Sequence, residues 1–153
     1  MLVTRSGTLK GATQFLKGLL KYTSLTILIS LLLSSVLLPI SYNTALETPE
    51  KRVDINYLET CFISPFVETL FILFILFILK RIKSRVVKNI LVSLVISSIH
   101  LINSIINAII ALPNFYILAN VLNSSGNKLR SFFLCFLIHC LHNTFFVTLQ
   151  NTF

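Results

Sequence analysis

Charge is what this chain has least of. Only 12% of its 153 residues are charged, against about 25% in an average soluble domain. A water-facing fold needs charge spread over its surface, and long stretches here carry none. Acid is scarcest. Five residues are Asp or Glu, and none follows Glu68. The three cysteines, Cys61, Cys135 and Cys140, are odd in number and show no CxxC spacing. That excludes a disulfide framework and the usual zinc-binding pattern, and leaves them as small apolar residues. There is no internal repeat and no low-complexity linker, so residues 1–153 read as one domain.

What remains is hydrophobic. The composition is 55% apolar with a mean hydropathy of +0.87, and the apolar residues come in long runs. Tyr22–Ile40 is the first, and no A-x-A-like cleavage site follows it, so it reads as a retained span. Phe62–Leu79 is the second. Asn89–Leu112 is the third and is expected to stop at Pro113, with a short run, Asn114–Leu122, after it. Ser131–Leu149 is the last, preceded by a polar turn containing Gly126. At about 20 residues per span, the expected fold is all-α: a polytopic transmembrane helical bundle of four to five spans. Before it, Lys10, Lys17 and Lys21 share one helical face and Leu9, Leu16 and Leu20 another. That pattern predicts an N-terminal interfacial amphipathic segment.

The net charge of +8 could suggest nucleic acid, but the basic residues sit between hydrophobic runs. They fit loops held on the cytoplasmic side and next to anionic membrane lipid, so no nucleic-acid partner is expected. The N-terminal segment has four bases and no acid. Loop 41–61 carries more acid than base, and loop 80–88 has five bases. The N-terminus and loop 80–88 are therefore expected inside and loop 41–61 outside.

Against this background a few polar residues stand out. Glu68 is the single acid within a hydrophobic run. A carboxylate at membrane depth costs about 2.5–3.5 kcal/mol on insertion scales, so it normally faces a protein interior or a water-filled cavity. All three histidines also lie in membrane runs. His100 is flanked by Ser97, Ser98 and Asn103. His139 and Asn143 are spaced i, i+4 on one helix face, with His142 close to it. One such residue is ordinarily a hydrogen-bonded packing residue. Glu68, His100, His139 and Asn143 together, from different runs, suggest a shared polar site. Counting ~1.5 Å per residue puts His100 and His139 roughly 18 Å from the outer edge and Glu68 roughly 9 Å. Glutamate and histidine can hold and deprotonate a water, and a second histidine with an amide can donate to a developing oxyanion. Glu and His can also ligate zinc. There is no H-E-x-x-H, however, so no cofactor is expected.

The order of these residues resembles the CPBP intramembrane proteases, also called the Abi or type II CAAX prenyl endopeptidase family. Its motifs run Glu-Glu-x-x-x-Arg, then Phe-x-x-x-His, then His-x-x-x-Asn. Here they align with Glu68-Thr69 within SPFVETLFIL, with Ile96 to His100, and with His139-Cys-Leu-His-Asn143. Thr69, Leu73 and Ile96 stand where the family has its second Glu, its Arg and its Phe. The similarity covers residues 60–150, which form the expected protease-like core. It implies a multi-pass protein of a bacterial cytoplasmic membrane. By resemblance, Glu68 and His100 would activate water, and His139 and Asn143 would hold the oxyanion. The implied function is glutamate-dependent hydrolysis of a peptide bond in a peptide or membrane-associated protein. The main alternative is a non-catalytic membrane protein such as a bacteriocin immunity protein. A small proton-relay or transport protein is a third reading. The sequence specifies neither the substrate nor the oligomeric state.

Overall fold

The computed structural model describes residues 5–44, 56–102, 104–124 and 126–152, with side chains described for 10–39, 56–102, 104–124 and 126–150. The acidic loop residues Glu47, Glu50 and Asp54, together with Asn103 and Leu9, fall outside those limits. All regular structure among the described residues is helical. Five helices are long and apolar enough to cross a membrane, so the chain is a multi-pass membrane protein.

Helix α1 (Arg5–Thr44) is 40 residues long, about 60 Å at 1.5 Å per residue and twice the hydrocarbon thickness. The basic N-terminal segment is its first part and runs into the span without a break. Arg130, near the start of the last helix, holds this part, donating from Nη2 to the Gly11 carbonyl at 2.7 Å with its guanidinium over Phe15. Helix α2 (Ser64–Ile78) is lengthened at both ends, by a π-helical turn over Glu59–Ile63 and a 3-10 turn over Leu79–Arg81. Pro65 occupies its first turn, where a missing N–H costs nothing.

Helix α3 (Arg85–Ile99) begins at Ser84, whose hydroxyl accepts from Val87 N at 3.3 Å, and ends in a 3-10 turn over His100–Ile102. Helix α4 (Ile105–Ser124) follows at once. Its start is capped by Ser104, whose Oγ accepts from Ile106 N at 3.1 Å and Asn107 N at 3.3 Å. This corrects the expected third run. One helix ends at Ile99 and the next begins at Ile105, and Pro113 sits inside a full-length α4 rather than ending a helix. Two causes are visible. Ser104 supplies a start signal that a run-by-run reading overlooks. Just past the proline, the Asn114 side chain donates to the Ile110 carbonyl at 3.1 Å, and the helix runs on through Pro113, as membrane helices packed against neighbours allow. The short run 114–122 is thereby the second half of a complete span.

Helix α5 (Lys128–Thr152) completes the bundle. The α3–α4 hairpin is tied at its basic end by side-chain amides. Asn89 donates to Asn120 Oδ1 (3.2 Å), Asn123 donates to Asn89 Oδ1 (3.1 Å), and Arg85 donates to Asn120 Oδ1 (2.8 Å). Ile72, Val92, Ile96, Leu122 and Ile138 form the apolar centre. Phe66, Phe74, Phe77, Leu94 and Ile109 point outward, as helices facing lipid require. The three cysteines are free thiols, and Cys135 and Cys140 are packed as small core residues.

Candidate functional site

Two sets of polar contacts converge on one face of α5, in the half of the bundle away from loop 80–88. The first joins α2 to α5. Glu68 lies one helical turn after Ser64, whose hydroxyl donates to Oε1 at 3.2 Å. The other carboxylate oxygen, Oε2, is 3.3 Å from Nε2 of His139. His139 is buried at 8% exposure. The pair has the distance of an ion pair without the alignment of a hydrogen bond: among the described residues Oε2 has no hydrogen-bond partner. Nδ1 of His139 has none either.

This pairing differs from the expected one. Glu68 touches His139, and no hydrogen bond or ion pair joins it to His100 among the described residues. The helix begins ahead of the Phe62 from which depth was counted, with the π-helical turn Glu59–Ile63 preceding α2, so the count for Glu68 started too late. His100 sits at the end of α3 rather than mid-span, and both it and His139 lie against Phe115. The Phe115 ring centroid is 5.4 Å from that of His100 and 5.6 Å from that of His139.

The second set joins α1, α4, α5 and the start of α2 through a chain of hydrogen bonds. Its direction is fixed at both ends by backbone carbonyls, which can only accept. At one end Asn114 Nδ2 donates to Ile110 O at 3.1 Å and to Ser30 Oγ at 2.6 Å. At the other end Asn143 Nδ2 donates to Thr60 O at 2.9 Å, so its Oδ1 faces His142 Nδ1 at 3.3 Å as acceptor. His142 Nδ1 therefore donates, and in the neutral ring Nε2 accepts from Ser30 Oγ, 3.0 Å away. Donation runs from Asn114 through Ser30, His142 and Asn143 to the Thr60 carbonyl. Asn114 Oδ1 is left over, buried and without a partner among the described residues.

Between the two sets lies a cavity of about 190 Å³. His100, His139, His142 and Asn143 line it, as do Asn114 and Thr26. Ile110, Ala111, Phe115, Leu118 and Ile138 supply apolar wall. Glu68 does not line it and reaches it through His139. Three of the four expected site residues thus share one cavity, and the fourth touches one of the three. Sequence reading missed Ser30, Asn114 and Phe115. The asparagine was legible in principle, since a buried amide in a span is costly, but placing a helix end at Pro113 put it at a boundary. Among the described residues no group of three or more His, Cys, Asp or Glu is arranged to hold a metal ion.

No family profile, curated protein or solved structure matches the chain.

Proposed function

We propose that the chain is an intramembrane peptidase of the glutamate-dependent kind, set in a bacterial cytoplasmic membrane, with Glu68 and His139 as its working pair. The observation that carries the reading is the 3.3 Å approach of Glu68 Oε2 to His139 Nε2, with His139 on the wall of a largely apolar cavity. A carboxylate beside one ring nitrogen keeps the proton there and leaves the other nitrogen free as a base. In this reading Nδ1 takes a proton from water as the water oxygen adds to a substrate carbonyl. It returns that proton to the leaving nitrogen as the C–N bond breaks, giving a carboxylic acid and an amine. Asn143 has a second amide hydrogen beyond the one given to Thr60, and lines the same cavity. It is the proposed donor to the oxyanion. His100, beside Phe115 on the same cavity, is the proposed second donor to the substrate or its water. The roles of His100 and His139 are thereby exchanged relative to those the family resemblance implies.

A non-catalytic reading, such as bacteriocin immunity, has one observation of its own. Where the family motif carries a second glutamate, Thr69 is fully buried and spends its hydroxyl on Pro65 O at 2.7 Å. Where the motif carries arginine, Leu73 packs against the apolar core. That part of α2 is built for packing. The two readings separate on Glu68→Gln, assayed by mass-spectrometric cleavage of a peptide mixture by the full chain in nanodiscs. The peptidase reading expects a loss of about 10²–10⁴-fold. Wild-type cleavage by that variant, or no cleavage by the wild type alongside toxin protection that survives the substitution, would favour immunity.

A further inference from the structure

We propose that the cavity between α1, α4 and α5 is a binding subsite for one apolar amino-acid residue of a peptide, recognised through a backbone N–H donated to Asn114 Oδ1. Donors and acceptors are out of balance at Asn114. Every donor of Asn114, Ser30 and His142 is used within the chain or on a backbone carbonyl, and the second amide hydrogen of Asn143 is the one donor left over. Asn114 is only 8% exposed, lines the cavity, and its Oδ1 is unpartnered among the described residues. Rotating the amide would not relieve this, because Nδ2 already has two acceptors, Ile110 O and Ser30 Oγ. The group that completes the site is therefore a donor. His139 Nδ1 is a second unpartnered atom on a residue of the same wall.

The rest of the lining says what carries that donor. Ile110, Ala111, Phe115, Leu118 and Ile138 form an apolar surface in the same cavity as Asn114 and His139. A cavity of about 190 Å³ exceeds the ~150 Å³ that accommodates benzene in an apolar core. It suits one leucine- or phenylalanine-sized side chain. An N–H attached to such a group is what a peptide presents at each apolar residue. An ion is a poor fit: no charged side chain lines the cavity other than by protonation of a histidine, and Glu68 stands outside it. As an account of substrate the inference rests on the peptidase reading. As an account of binding it does not, and the test below measures binding alone.

The probe is N-acetyl-L-phenylalaninamide, titrated into purified full-length protein in detergent and followed by saturation-transfer NMR. N-acetylglycinamide and the fully N-methylated phenylalanine compound serve as comparators. Saturable binding of the phenylalanine amide is expected, at least tenfold tighter than either comparator. Ala111→Phe fills the cavity without touching a hydrogen bond and should remove that binding. Ala111→Leu fills it partly, is the milder change should the larger one disturb folding, and should weaken it. Asn114→Leu should abolish the preference for N–H over N-methyl. Equal binding of the N-methylated compound by the wild type, undiminished binding by both Ala111 variants, or no saturable binding to the wild type would each overturn the proposal. Cleavage lost in Glu68→Gln with no probe binding would leave the peptidase reading standing and this one refuted. Probe binding with wild-type cleavage in Glu68→Gln would do the reverse.

Discussion

Removing the Ser30 hydroxyl tests the directed hydrogen-bond chain most directly. In Ser30→Ala, His142 Nε2 loses its donor at 3.0 Å and Asn114 Nδ2 loses the nearer of its two acceptors, at 2.6 Å. Asn114 keeps Ile110 O and His142 keeps Asn143 Oδ1. One buried acceptor is thus orphaned and one donor only demoted. In water-soluble proteins an orphaned buried group costs about 1–3 kcal/mol. Within membranes, measured interhelical hydrogen bonds average ~0.6 kcal/mol and reach ~1.7, because the dissociated helices find other partners in lipid. The geometry is short and three helices share it, so the upper half of that range, about 1–1.7 kcal/mol, is expected. The assay is reversible SDS unfolding in bicelles of Ser30→Ala, His142→Phe and the double variant. The coupling energy should fall in the same range, since each single change breaks the same contact. Ser35→Ala is the control. Its hydroxyl donates only to Leu32 O on an exposed face, and its effect should stay within about 0.5 kcal/mol. A Ser30–His142 coupling indistinguishable from zero would refute the chain as drawn.

Other expectations follow from the same contacts. Ser104→Ala should lower stability by about 0.5–2 kcal/mol as a lost helix cap, whereas Pro113→Ala should be neutral or stabilising because it restores a backbone N–H inside α4. The opposite ranking in the same unfolding assay would return the helix boundary to Pro113. Single cysteines at Lys51 and Lys83, in a background lacking the native three, should label with an impermeant maleimide from outside and from inside respectively. Equal labelling from outside would overturn the orientation read from charge.

How much of this was legible in the sequence differs between fold and site, for physical reasons. The bundle was legible because lipid imposes one requirement, about 20 apolar residues per crossing, and the runs meet it. The α3–α4 boundary was not, because a proline inside a membrane helix is tolerated where neighbouring helices pack around it, and the true boundary is marked only by the side chain of Ser104 within an apolar stretch. Glu68 and the histidines were legible as costly residues in a costly place. Which of them would touch was not. A π-helical turn adds a residue per turn that counting at regular helical rise does not register, and His100 falls on a 3-10 turn at a helix end. Ser30 was illegible altogether. It is one of several serines in the first run, and only the partners brought by α4 and α5 distinguish it from Ser35.

The position of Ser30 changes what counts as the core of this protein. Residues 60–150 contain Glu68, His100, His139 and Asn143, and a reading based on motif order stops there. The cavity does not. Thr26 lines it, and Ser30 is the acceptor that holds Asn114 and the donor that holds His142. Without α1, Asn114 would still be pinned to Ile110 O, but His142 would lose its Nε2 contact and one side of the cavity would face lipid. Lipid offers no hydrogen-bond donor in its hydrocarbon, so each acceptor left there would bear the full penalty of burial without a partner. The first helix therefore does more than anchor the chain. Through Thr26 it supplies part of the cavity wall, and through Ser30 it fixes Asn114 and His142, while Glu68 of α2 contacts His139, so the polar groups of α5 are held by α1 and α2 at once.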